Sequence, residues 1–130
     1  MKFGSILVVC VLTGASPASA HHSFAAEYDR NQPVTVTGTV NKVEWMNPHA
    51  RFSLDVKEEN GQVVTWDFEL GSPNVLIRWG WNRKTLQPGD TVTVTAYRAK
   101  NAPHVANASS VALADGKKVL TASSADLANK

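Results

Sequence analysis

Four histidines are the side chains of this chain whose type and spacing can do chemistry: the adjacent pair His21-His22, His49 after Asn47-Pro48, and His104 after Asn101-Ala102-Pro103. Neutral imidazole nitrogens suit Cu(II), which tops the affinity order of the divalent first-row metals and favours tetragonal nitrogen sites. The pair follows Ala18-Ser19-Ala20, a small-residue pattern of the kind signal peptidase cuts. Cleavage after Ala20 makes His21 the first residue, so that its amine and imidazole can chelate one ion with His22 beside them, which is the ligand set of a histidine brace. Cleavage after Ala18 instead leaves Ser19-Ala20-His21, a third-position histidine that binds copper or nickel in a square plane. Both cuts yield a copper ligand. A brace takes a further imidazole, for which His49 is the first expectation and His104 the second. Met46 adds a thioether that fits Cu(I) better than Cu(II). The competing reading is that all four histidines are ordinary solvated residues.

Other chemistry is poorly represented. Asp67 and Glu69 share one face of a strand, but the register worked out below sets Glu69 opposite Arg51 and Asp67 opposite Ser53. A solvated cross-strand ion pair is therefore expected rather than a catalytic pair of carboxylates. There is no nucleophile elbow, phosphate-binding glycine loop or Cys-His arrangement, so no enzyme is expected, and an oxidative copper enzyme ranks last. Of the tryptophans, Trp66 belongs to the core and Trp79 should pack a short helix against it. Trp45 and Trp81 remain as exposed platforms, which with Met46 and Asn47 would line a small-ligand groove.

The elements that position these residues are mostly strands. Residues 1–20 read as a Sec-type signal peptide: Lys2 starts it, Ile6 to Leu12 is an apolar run too short to span a bilayer, and the Ala-x-Ala pattern ends it. Residues 21–33 are expected as a flexible arm. Val34, Val36, Gly38 and Val40 alternate on one face and Val43 and Trp45 take the opposite parity, so a bulge is required near Asn41-Lys42. Phe52, Leu54 and Val56 alternate next, then Val64, Trp66, Phe68 and Leu70. If Glu59-Asn60-Gly61 is a three-residue loop with Gly61 left-handed, Val56 faces Val64, Leu54 faces Trp66 and Phe52 faces Phe68. Ser72-Pro73 caps a helix from Val75 to Trp79, stopped by Gly80. Leu86 to Asp90 is a turn into a strand with Val92, Val94 and Ala96, and a last strand carries Val111 and Leu113 before Asp115-Gly116. Residues 121–130 are expected as a disordered tail.

A long bent strand, two more, a short helix and two final strands is the order of an OB-fold, a five-stranded Greek-key barrel, which residues 34–120 are expected to form. A β-sandwich comes second, because it wants about seven strands and no central helix. In the OB-fold the loops carrying His49 and His104 border the binding face, and residues 22 to 34, at about 3.3 Å each, can span roughly 40 Å to reach it.

The stretches His21-His22-Ser23-Phe24, Glu44-Trp45-Met46-Asn47-Pro48-His49, Phe68-Glu69-Leu70-Gly71-Ser72-Pro73 and Pro88-Gly89-Asp90 resemble a family of small secreted bacterial proteins of unknown function. The resemblance covers nearly the whole mature chain and implies the recurrent mature start and the Asn-Pro-His element, with no activity attached. Arg51 stands where an aromatic residue is expected, and His104 lies outside the recurrent pattern.

Composition narrows the partners. Cys10 lies in the signal peptide, so the mature chain has no cysteine and its roughly hundred residues must stabilise one domain without a disulfide in an oxidising compartment. Removing Lys2 from the 13 Lys and Arg leaves 12 against 11 Asp and Glu, a balance of +1 that gives no electrostatic footprint for nucleic acid. The expectation is a periplasmic or secreted, non-catalytic copper-binding protein using His21, His22 and His49, with no membrane insertion after processing and a periplasmic protein as a partner to consider. The alternative is a metal-free OB-fold module that binds a glycan, a small molecule or a partner protein.

Overall fold

The computed structural model describes residues 18–128, with side chains from Ser23 onward. The elements are α1 (Ala18–Glu27), β1 (Tyr28–Glu44), β2 (Arg51–Lys57), β3 (Val63–Glu69), α2 (Pro73–Arg78), β4 (Thr91–Ala99), β5 (Val105–Leu113), β6 (Lys118–Leu120) and α3 (Ser124–Leu127). None of the described helices is long and apolar enough to cross a membrane.

Alternation sets the registers. In β1, Val40 lies opposite Leu54 but Lys42 lies opposite Ser53, so Asn41 is the extra residue of a bulge and Val43 returns to face Phe52. In the β2–β3 hairpin, Val56 pairs with Val64, Leu54 with Trp66 and Phe52 with Phe68, and Gly61 has φ +84° at the turn. β1 also pairs antiparallel with β4, and β4 with β5, while β5 lies parallel to β3. The pairings thus run β1, β2, β3, β5, β4 and back to β1, the closed OB-fold-like ring expected, with β6 added beside β5 as a sixth strand that the sequence reading did not include. The interior is filled by Phe52, Leu54, Phe68, Leu76, Val92, Val94 and Val111, all buried, with Phe52 stacked on Phe68 at 5.2 Å between ring centroids. Gly38 makes room where β1 bends over β2: a Cβ there would lie 2.6 Å from the Asp55 carbonyl oxygen.

The short helix has the expected cap, since Ser72 Oγ accepts from the Val75 amide, and it begins at Pro73. The tryptophans at its end exchange the roles expected of them. Trp81 is buried and its indole N–H donates to the Val119 carbonyl, whereas Trp79 is 45% exposed. The turn through Gly80, at φ +88°, carries the chain back under the helix, and it is this reversal that sends Trp81 rather than Trp79 into the core.

The chain ends also depart from expectation. Residues 28–33 form the start of β1, and Phe24 and Tyr28 are buried with Ala125 in a second apolar cluster flanked by Tyr97, Ala99 and Val105. Lys100 ties this segment down, its amide donating to the Glu27 carbonyl and its ammonium to that of Ala25. Arg30 lies over the rings of Phe24 and Tyr97 and pairs with Asp126 at 3.0 Å. Asp126 belongs to α3, so the expected disordered tail instead supplies a capped helical turn with Ser124, Ala125 and Leu127 buried. Apolar side chains of both chain ends meet on one outer face of the ring, which is why neither is a free arm. Of the expected signal peptide, residues 1–17 lie outside the described residues.

Candidate functional site

Directly beside the second apolar cluster, the outer face of the ring holds a buried carboxylate. Residues facing the interior on β3 are Trp66 and Phe68, so the alternate residue Glu69 points outward. Its backbone neighbours are Arg51 on β2 and Asn107 on β5. The ion pair with Arg51 expected from the register is present at 2.8 Å, but only its arginine is open to solvent, because Glu69 is 4% exposed beneath Tyr28 and the α3 turn.

Four groups satisfy this carboxylate. Arg51 Nη2 reaches Oε2, and Oε1 lies 3.0 Å from His49 Nδ1 and 3.3 Å from Asn107 Nδ2. The Tyr28 phenol also hydrogen-bonds Glu69. Asn107 is locked in turn by Ser124, which accepts from its amide nitrogen at 2.7 Å and donates its own backbone N–H to the side-chain oxygen. No buried side-chain nitrogen or oxygen among the described residues lacks a partner.

The electrostatics follow from this packing. Burial opposes ionisation of Glu69, but the hydrogen bond and charge of His49, with Arg51 and Tyr28, outweigh it and hold the carboxyl below its ordinary value. The Glu69 hydrogen bond raises the His49 imidazole above its ordinary value against the opposing effect of burial. Burial and then the adjacent carboxylate push the Tyr28 phenol far up, so it remains a donor. His49 itself is 41% exposed at the side chain, enough for its ring to meet a ligand from solvent.

The expected site residues divide into two groups. Trp45 is half-buried against the core, and Met46 and Asn47 are exposed in the β1–β2 connection that ends at His49, where the Asn47–Pro48 bond is cis. His104 stands elsewhere: its ring meets the edge of Trp66 at 5.2 Å, and its carbonyl accepts from the Asp67 amide. Trp66 and Glu69 are three residues apart on β3, hence on opposite faces and about 10 Å apart along the strand. His49 and His104 accordingly do not converge on one ion, and the shared site expected of the two loops is not formed. Trp81, inside the core, is no ligand platform. The side chains of His21 and His22 lie outside the described residues. Among the described residues no three His, Cys, Asp or Glu side chains come together as a metal site.

Tyr28, Asn107 and Ser124 were not foreseen. A sequence signal existed for Asn107 in the alternation Val105-Ala106-Asn107-Ala108, but its inward residues are alanines, too weakly apolar to mark a strand.

A profile described as a family of unknown function (DUF6152) matches residues 8–107. The chain belongs to this family. No curated protein matches it. Among solved structures it is similar to the mitochondrial single-stranded DNA binding protein Rim1 from S. cerevisiae, with a TM-score of 0.51 at 12% identity over 64% of this chain and 93% of that one. At that identity the likeness establishes the OB-fold-like architecture alone.

Proposed function

We propose that the protein is exported, cut between Ala20 and His21, and then acts as a non-catalytic Cu(II)-binding protein of the periplasm or extracellular space, through His21, His22 and His49. The observation that carries this reading is that one buried carboxylate, Glu69, holds both His49 and Tyr28. Tyr28 lies six residues after His22, and the intervening Phe24 is buried in the same patch. The distance from Phe24 to His21 is at most about 10 Å of extended chain, which ties a new amino terminus at His21 to the patch that holds Tyr28. A ligating histidine ordinarily donates its other ring N–H to a carboxylate or carbonyl, and His49 has that partner already in place.

The test is a Cu(II) titration of protein whose intact mass shows His21 as residue one. Tight one-to-one binding is expected, weakened by His49→Ala and by a form bearing an extra N-terminal methionine. Equal affinity of the extended and processed forms would sink the brace.

A second reading draws on the hollow of about 210 Å³ on the outer face of β1–β3, lined by Lys42, Glu44, Arg51, Ser53 and Asp67. Its mixed charges suit a small polar ligand and would serve the metal-free alternative. They do not suit a phosphate backbone, because Asp67 stands among the cations, so no nucleic acid is proposed.

A further inference from the structure

We infer that Glu69 is the positioning residue of this site: it selects the imidazole tautomer of His49 that carries its proton on Nδ1, and so presents Nε2 as the coordinating atom. The inference rests on the copper reading for the ion but on separate observations for the geometry. The Nδ1 atom is 3.0 Å from a carboxylate oxygen that has no proton to give, so the hydrogen of that bond sits on the ring. Glu69 is itself immobilised, with Arg51 on the second oxygen, Asn107 sharing the first, and Asn107 clamped by Ser124. An anchor restrained on both oxygens fixes the ring plane of His49 and the direction of its remaining nitrogen, which is how outer-shell carboxylates act on histidine ligands. The same carboxylate ties Tyr28, so it sets the position of the ring and of the mature N-terminal segment with one group.

This assigns a function to the burial of Glu69, which a surface ion pair would not need. It also assigns an indirect role to Arg51. That residue is the departure from the family resemblance noted above, and in this chain it restrains the anchor instead of touching the ion.

Two variants and three readouts test the inference. In metal-free processed protein at alkaline pH, long-range proton–nitrogen NMR should show His49 of the unaltered chain and of Glu69→Gln as the Nδ1–H form, because the glutamine oxygen can still accept. Glu69→Ala should return it to a mixture. Titration with Cu(II) should then raise Kd by about 10–100-fold for Glu69→Ala and by less for Glu69→Gln. The Glu69→Ala electron paramagnetic resonance spectrum should broaden into more than one copper species. Circular dichroism of each variant confirms that the fold persists, and the tautomer of His49 in the unaltered chain carries the test if Glu69→Ala does not fold. An Nε2–H tautomer in the unaltered chain overturns the inference whatever copper does, as does a Glu69→Ala protein with unchanged Kd and spectrum. A correct tautomer in a processed protein that takes up no Cu(II) leaves the Glu69–His49 geometry standing and overturns the metal reading.

Discussion

At the scale of single residues, position decided fate more than type did. Trp79 and Trp81 are two residues apart, yet Trp81 is enclosed, its indole N–H donating to the Val119 carbonyl, whereas Trp79 is exposed. Trp81→Ala should destabilise the protein by about 3–5 kcal/mol, as for other large buried aromatics, and Trp79→Ala by clearly less, both read from denaturant midpoints. Composition could not rank the two, because the distinction depends on the left-handed Gly80 between them. Glu69 was similarly half legible: alternation gave its face and its Arg51 partner, but its burial comes from Tyr28 and α3, which are remote in sequence.

At the scale of elements, period-2 alternation carried the fold. The bulge at Asn41 and every pair of the β2–β3 hairpin follow from which positions are apolar, since a slip of one residue would turn the whole set outward. What escaped was the alanine-based start of β5, the short β6 and the docking of both chain ends, where single aromatic residues, not periodic runs, supply the apolar contact. Gly38 belongs to the legible part, as the small residue in an otherwise β-branched run. Gly38→Ala places a methyl group 2.6 Å from the Asp55 carbonyl oxygen, so the β1–β2 crossing must open. A loss of about 1–3 kcal/mol is expected, visible as a lowered urea midpoint, and an unchanged midpoint would show that the strands separate there without cost.

For the molecule as a whole, the Glu69 network sets a window of pH. Glu69 has a folded pKa below its ordinary 4.5, so its contribution is present above that value and is lost as pH falls through the folded one. His49 has a folded pKa above 6.5, so its contribution is complete below 6.5 and is lost as pH rises through the folded value. Stability contributed by the pair is therefore greatest between about pH 4.5 and 6.5. Partial exposure of His49 keeps the alkaline loss small. His49→Gln should flatten that alkaline limb in urea midpoints measured across pH and shrink the acid limb as well, because His49 leads the groups that hold Glu69 down.

The long first strand has one more consequence. β2 pairs with β1 only from Thr39 onward, so the stretch before it has β4 on one side and no strand of the ring on the other. Such a border invites another chain to add itself as a strand, and this one is guarded. Pro33 offers no amide to a newcomer. Pro33 therefore removes from that border one of the backbone donors an added strand would need.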